Sequence, residues 1–361
     1  MKTITKRQDL IKALSATSRV VSTRSTLPIL QNVYVGAKSK ELIIRSTDLE
    51  QTIEVVIAAE VQEDGAITVP LRLLADFLQN NTDEVVTISV DDVDILIKSA
   101  NHQVKLKGIS AQEYPTTQQV KADEEITLEA EVINEAITTC LFAAANDDTR
   151  PILTGLLFNF SGEKLEVVGT DGYRLALYSS KVTSAAGQYI IPKRTLLELQ
   201  RVLEGGPVKV GLSQSQVRFS FDKTLIISRI IDGKFPSYQA RIPQQHKLNL
   251  SGSGTALLHG LKVASLFSRD SSYSTKLEIK GENLEIIATS PQLGESRSTV
   301  TVENSLGEAF TISLNAQYLI EVLNAVGGDF SLELTDASSP VVVRFPKKDN
   351  YLYLLMPLRN E

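Results

Sequence analysis

Two periodicities run through the chain. "ELIIRSTDLEQTI" (41–53), "KLEVVGTDGYRLA" (164–176) and "NLEIIATSPQLGE" (283–295) alternate apolar and polar positions with a break near the middle, the pattern of two half-buried strands joined by a turn. "VVTISVDDVDILIKSANHQVKLKGI" (85–109) and "SQVRFSFDKTLIISRI" (215–230) read as further hairpin ladders. Elsewhere apolar residues recur three and four apart, around 10–21, 132–145 and 257–267, which predicts amphipathic helices. A second set of helices is predicted inside "ITVPLRLLADFLQNNTDEVVTISV" from 67, "YIIPKRTLLELQRVLEGGPVKVGL" from 189 and "FTISLNAQYLIEVLNAVGGDFSLEL" from 310.

These segments come in threes. The threonines at 47, 170 and 289 stand about 120 residues apart, and the helical stretches before and after them keep the same interval. Three copies therefore fill the chain, over 1–122, 123–244 and 245–361. Strands far outnumber helices, so each copy is expected to be an α+β domain, an antiparallel sheet covered on one face by two helices.

Composition narrows the function classes. The chain has 361 residues, 42% of them hydrophobic and 22% charged, which suits two or three globular domains and excludes disorder or coiled coil. No window carries the ~18 apolar residues that would span a bilayer, and "MKTITKRQDLIKALSATS" lacks an uninterrupted apolar core for a signal peptide, so a cytoplasmic protein is expected. The one cysteine, Cys140, lies in "AITTCLFAAA", a buried helix position by its surroundings. A net charge of −6 argues against gripping nucleic acid over the whole surface, because nonspecific affinity comes from neutralising phosphates.

A local basic zone is nevertheless legible. Lys12 and Arg19 fall opposite Leu10, Leu14 and Val21, and Arg194 and Arg201 fall opposite Leu196, Leu199 and Leu203. Lys262 and Arg269 repeat the spacing of seven in the third copy. Helices turned inward in a closed arrangement would present these cations to phosphates without touching bases.

Signals for catalysis are thin. His102, His246 and His259 have no metal-pair or triad spacing, no GxxxxGK[ST] loop occurs, and "SGSG" (251–254) reads as a turn or linker. Asp91, Asp92 and Asp94, and Asp147 with Asp148, sit at turns. A hydrolase built on the Asp147 and Asp148 pair, and a peptide-binding adaptor that never encircles DNA, both stay open on the residues alone. Asp171 precedes Gly172 at a strand break, and its counterparts are Asp48 and Ser290. A turn accounts for all three, whereas a catalytic role accounts for one.

Several segments go further. "RSTLPILQNV" (24–33), "TRPILTGLLF" (149–158), "TDGYRLA" (170–176), "IIPKRTLLEL" (190–199), "FPSYQARIP" (235–243) and "YLYLLMPLR" (351–359) resemble, in order and across the whole chain, the bacterial DNA polymerase III β subunit family, the sliding clamps. The resemblance implies three domains of the clamp fold in each chain and a head-to-tail homodimer closing into a ring. Duplex DNA would be encircled without regard to sequence, and the replicative polymerase, the clamp loader and other clamp-motif proteins would be partners. It implies no catalysis, cofactor, metal or membrane. Carried over position by position, a peptide-binding pocket would comprise Leu153, Thr170, Gly172, Tyr173, Arg174, Leu175, Pro236 and Arg241, closed by Leu354, Leu355, Met356, Pro357, Leu358 and Arg359. Arg24 and Arg150 resemble family residues near the duplex. Tyr173 stands where many relatives have His, and Ala240 and Arg241 depart from the usual basic-then-aliphatic order, which implies a somewhat different peptide preference.

Overall fold

The structure, a computed structural model, describes residues 1–21, 27–115, 122–305 and 309–358. Among them are six α-helices, two in each repeat: α1 (Arg7–Thr17), α2 (Leu71–Asn80), α3 (Ala130–Cys140), α4 (Lys193–Val202), α5 (Gly254–Ser268) and α6 (Ala316–Val326). Each buries the stripe that its sequence predicts. Leu10, Ala13, Leu14 and Thr17 of α1 are buried, as are Leu71, Leu74 and Leu78 of α2. Cys140 is the last residue of α3 and is fully buried, with its thiol pushed up to about 12 by that burial.

Helix α1 stops earlier than its periodicity suggests. The Thr17 hydroxyl donates to the carbonyls of Ala13 (3.0 Å) and Leu14 (3.2 Å), and the Ser18 hydroxyl donates to that of Ser15 (3.0 Å). Such back-bonds compete with the next helical turn. Arg19 therefore lies beyond the helix that was expected to carry it. The "SGSG" stretch is also more than a linker. Ser253 caps α5 by accepting from the Ala256 amide at 3.4 Å, and a β-carbon on Gly254 would lie 2.1 Å from the Gly328 carbonyl oxygen.

Every strand pairing among the described residues is antiparallel. Sheets continue from one repeat into the next, and the chain divides into two compact units, 1–131 with 194–230, and 132–193 with 231–361. The first unit holds a five-stranded sheet running Glu60–Glu63, Lys2–Lys6, Val85–Asp91, Asp94–Lys98, Gln103–Lys107, and a nine-stranded sheet. In the latter, Gln51–Ala58 of the first repeat pairs with Thr224–Arg229 of the second, Gln51 opposite Ser228. Leucines of α1 and α2 close its core against Val33, Val35, Ile44, Ile88 and Ile97. Each such side chain contributes about 1.5–3 kcal/mol by leaving water.

The second unit repeats the device. Its twelve strands include Arg174–Lys181 paired with Lys348–Leu355, Arg174 opposite Leu355. A strand left at the edge of one repeat is thus satisfied by the next, because an unpaired row of N–H and C=O groups is a standing template for pairing.

Candidate functional site

The stretch that resembles the clamp signature forms a tight turn between Lys164–Thr170 and Arg174–Lys181. The Asp171 carboxylate (Oδ1) accepts from the amides of Tyr173 (2.9 Å) and Arg174 (3.1 Å), and the Thr170 hydroxyl donates to the Arg174 carbonyl (2.5 Å) and accepts from the Gly172 amide (3.0 Å). The first repeat builds the same turn. Asp48 Oδ1 accepts from Glu50 and Gln51, and the Thr47 hydroxyl bridges Leu49 and Gln51. In the third repeat Ser290 Oγ accepts from the Leu293 amide, and the loop is one residue longer, Thr289 facing Glu295 where Thr170 faces Leu175. The turn reading of Asp171 thus has a counterpart in every repeat.

Asp171 has a second duty that the sequence did not reveal. Its Oδ2 accepts from Arg174 Nε at 3.0 Å, and its backbone carbonyl accepts from Arg150 Nη2 at 2.8 Å. The Arg174 side chain is 5% exposed. Nη1 is ion-paired with Glu321 of α6, Nη2 donates to the Phe142 carbonyl at 2.6 Å, and the guanidinium lies 4.2 Å from the Tyr318 ring centroid. Arg174 is therefore placed to hold the site together, not to face a bound peptide as the sequence reading expected. Leu355 needs the same correction. Strand alternation puts it on the opposite face from Leu354, where it is completely buried.

On the other face lies a buried apolar cluster. Leu153, Leu157, Val168, Leu175, Ile190 and Leu354 form one cluster with Phe235 and Tyr238, and half-buried Ile152, Leu177, Ile231 and Ile242 pack against it. At its margin stand Tyr173, 62% exposed, the exposed Gly172, Pro236, Arg241 and Met356, and half-buried Pro357 and Leu358. Two amides fix the tail: Met356 donates to the Tyr173 carbonyl and Leu358 to the Ser313 carbonyl, both at 2.8 Å. Arg359 lies outside the described residues. Gly172 has φ +95°, a left-handed conformation that favours glycine.

A polar chain runs across the sheet beside this cluster. The Tyr238 hydroxyl donates to Glu166 Oε2 (2.5 Å) and accepts from Asn159 Nδ2 (3.0 Å), and Glu166 Oε1 accepts from Lys164 Nζ (2.7 Å). Burial alone would raise the Glu166 carboxyl, but the hydrogen bonds from Lys164 and Tyr238 outweigh it and hold the group below its ordinary value. Burial and the facing carboxylate push the Tyr238 phenol up.

The candidate cations differ in their freedom. Lys12, Arg19, Arg194, Arg201, Lys262 and Arg269 are all exposed. Arg194 is paired with Asp48 at 2.5 Å and Arg201 with Glu198 at 2.6 Å. Arg150 is not on a helix but crosses the Asp171 turn, and Arg24 lies outside the described residues. Asp147 serves its own backbone, accepting from the Thr149 amide at 3.1 Å, and hydrogen bonds from the Thr149 hydroxyl and amide hold it below the usual carboxylate range. Among the described residues no three His, Cys, Asp or Glu side chains gather as a metal ion would require, and no helix is long and apolar enough to cross a membrane.

Comparison with known proteins decides the family. Profiles of the DNA polymerase III beta subunit match in sequence along the chain, the N-terminal domain over 1–118, the central domain over 127–237 and the C-terminal domain over 239–359. The beta sliding clamp of Pseudomonas putida is 30% identical, with 98% of each chain covered. This chain belongs to the DNA polymerase III beta subunit family. Solved members superpose over their whole length. The Pseudomonas aeruginosa sliding clamp bound to griselimycin has a TM-score of 0.96 at 29% identity, and the Bacillus subtilis sliding clamp 0.95 at 26%, with 100% of both chains covered in each case.

Within this family member the three repeats share a backbone register but not a surface. At the positions held by Leu157, Val168, Leu175 and Ile190 in the second repeat, the first has Tyr34, Arg45, Thr52 and Thr68, and the third has Lys276, Ile287, Glu295 and Ser313. In the first repeat Arg45 Nη2 pairs with Glu54 at 2.6 Å and the guanidinium lies over Tyr34 at 4.8 Å, which closes that face. Lys276, Glu278, Lys280, Glu285, Glu295 and Arg297 form a charged ladder over the third. Among the described residues, the second repeat is the one with apolar side chains at all four of these positions.

Proposed function

We propose that two copies of this chain join head to tail into a ring that encircles duplex DNA in the cytoplasm, carries out no catalysis, is opened by a clamp loader, and tethers the replicative polymerase and other DNA-processing proteins. The repeats 1–122, 123–244 and 245–361 serve as its domains. The observation that carries this reading is a pair of unmatched sheet edges. Two of the three repeat-to-repeat pairings occur within the chain, Gln51 with Ser228 and Arg174 with Leu355. The corresponding third pairing would join the free edge of 294–301, the part of its strand that Leu248–Gly252 leaves uncovered, to that of Gln103–Lys107. The shared register sets Gly294 opposite Leu106 and Ser296 opposite Val104 of a partner, with Glu295 facing Lys105 as an opposite-charge cross-strand pair.

The exposed apolar residues agree with that register. Leu73 occupies the position in α2 that Thr195 holds in α4 and Tyr318 in α6, and those two touch Gln51 and Arg174 at the pairings made within the chain. Leu73 is 56% exposed, and on the opposite edge Leu266 and Leu293 are 67% and 61% exposed. A second copy would cover all three.

Enclosure also suits the charge. A ring needs no tight grip, so a chain of net charge −6 can serve DNA with a few inward cations, for which Lys12, Arg19, Lys262 and Arg269, with Arg24, Arg150, Arg194 and Arg201, are the candidates. Loaded on nicked circular DNA, the protein should survive a high-salt wash and be released when the circle is cut. Loss in salt from intact circles would overturn the ring.

The apolar face of the second repeat suits an extended peptide with apolar anchors, received by Leu153, Leu175, Leu354, Met356 and Leu358, with Thr170, Gly172, Tyr173, Pro236, Arg241 and Pro357 around it. Met356→Ala with Leu358→Ala should weaken binding of a replicative-polymerase tail peptide at least about tenfold while the dimer persists. Isothermal titration checks this, and an unchanged affinity would remove the assignment.

A further inference from the structure

The segment between Ile231 and Pro243 forms one flank of the apolar face, yet it contains no strand and only a single short 3-10 turn, Gln239–Arg241. It delivers Phe235 and Tyr238 into the cluster and sets Pro236, Arg241 and Ile242 beside it. Backbone bonds within it are local, Arg241 to Tyr238 and Ile242 to Gln239, and Ile231 at its start donates to the Ile190 carbonyl at 2.8 Å. Deep in the segment, the polar connection to the sheet is the Tyr238 hydroxyl. It meets Asn159 and Glu166, on two adjacent strands, and Lys164 and Gln188 brace those two residues in turn at 2.7 and 3.1 Å.

We propose that the Tyr238 hydroxyl, clasped by Glu166 and Asn159, is a positioning device that holds the 232–243 flank in its binding-competent place, an inference that rests on the peptide-docking reading of this face. The ring of Tyr238 supplies packing, and the hydroxyl supplies location. Without the hydroxyl the ring keeps its apolar contacts but has no directional bond, so the flank samples positions from which a peptide cannot be held. Hydrogen bonds to a charged acceptor are worth more than neutral ones, which makes this contact the one able to decide the segment's place. A positioning residue of this kind acts on the lifetime of the complex more than on encounter.

The test uses the full-length protein and a synthetic replicative-polymerase tail peptide. Tyr238→Phe should weaken affinity about fivefold to tenfold, mainly through faster dissociation, and should speed amide hydrogen exchange over 235–242 more than elsewhere, while the protein stays folded with a thermal midpoint lower by only a few degrees and the dimer persists. Glu166→Gln should act in the same direction. The double variant should bind no worse than the weaker single one, because both changes undo one clasp. Full additivity, or wild-type affinity in Tyr238→Phe, would overturn the clasp. The Met356→Ala, Leu358→Ala variant serves as the control: if it also binds as wild type, the docking reading has failed, and if it alone is weakened, only the clasp has.

Discussion

Arg174→Ala should lower the unfolding free energy by about 3–5 kcal/mol, the cost of removing one partner from a buried ion-paired group. The guanidinium is bonded to Asp171, Glu321 and the Phe142 carbonyl and packs on Tyr318, so truncation removes three charge-assisted bonds and a ring contact together. Chemical denaturation followed by circular dichroism measures it. Arg174→Lys should recover only a small part, since an ammonium cannot serve three divergent acceptors in one plane. Peptide affinity should fall as well, because the Asp171 turn that carries Gly172 and Tyr173 is tied to the same guanidinium. A stability loss below about 1 kcal/mol would mean that surface-like screening governs this network.

Leu73→Glu should dissociate the dimer by about a hundredfold, roughly 2.7 kcal/mol, because a carboxylate would then be buried against a partner without a matching cation. Sedimentation against concentration reads the constant directly. The monomer's thermal midpoint should hardly move, since Leu73 is exposed in the single chain. A second arm tests register. Glu295→Lys and Lys105→Glu should each weaken association several-fold, and the combination should restore it, if the two face each other. An unaffected dimer in Leu73→Glu would show that the third pairing lies elsewhere.

The threefold repeat, the two helices per copy and the hairpins were legible because they depend on short-range periodicity and turn chemistry. Thr47, Thr170 and Thr289, with Asp48, Asp171 and Ser290 beside them, mark the same strand break and were visible as letters. The sharing of strands between repeats was not, because Gln51 and Ser228 are joined by backbone bonds that leave no trace in side-chain pattern. The site residues divide in the same way. Leu153, Leu175 and Leu354 share one buried cluster, whereas Arg174 and Leu355, each directly next to one of those leucines, point to the other side of the sheet. Motif matching names neighbours together. The pleat separates them. Tyr238 was legible only as part of a signature segment, since nothing local announces that its hydroxyl will reach Glu166.

The pairing of strands across repeats also sets an order in time. A chain emerging from the ribosome completes its first repeat with the Gln51–Ala58 edge still open, and the strand that covers it, Thr224–Arg229, is made only after most of the second repeat has followed. The same delay separates Arg174–Lys181 from Lys348–Leu355, which follows only in the third repeat. The nascent protein thus carries an exposed strand edge while residues 58 to 348 are made, an invitation to mispairing between chains on one polysome. Slow or stalled synthesis between residues 58 and 348, where first one edge and then the other is uncovered, should therefore be more damaging to yield than an equal pause before residue 51.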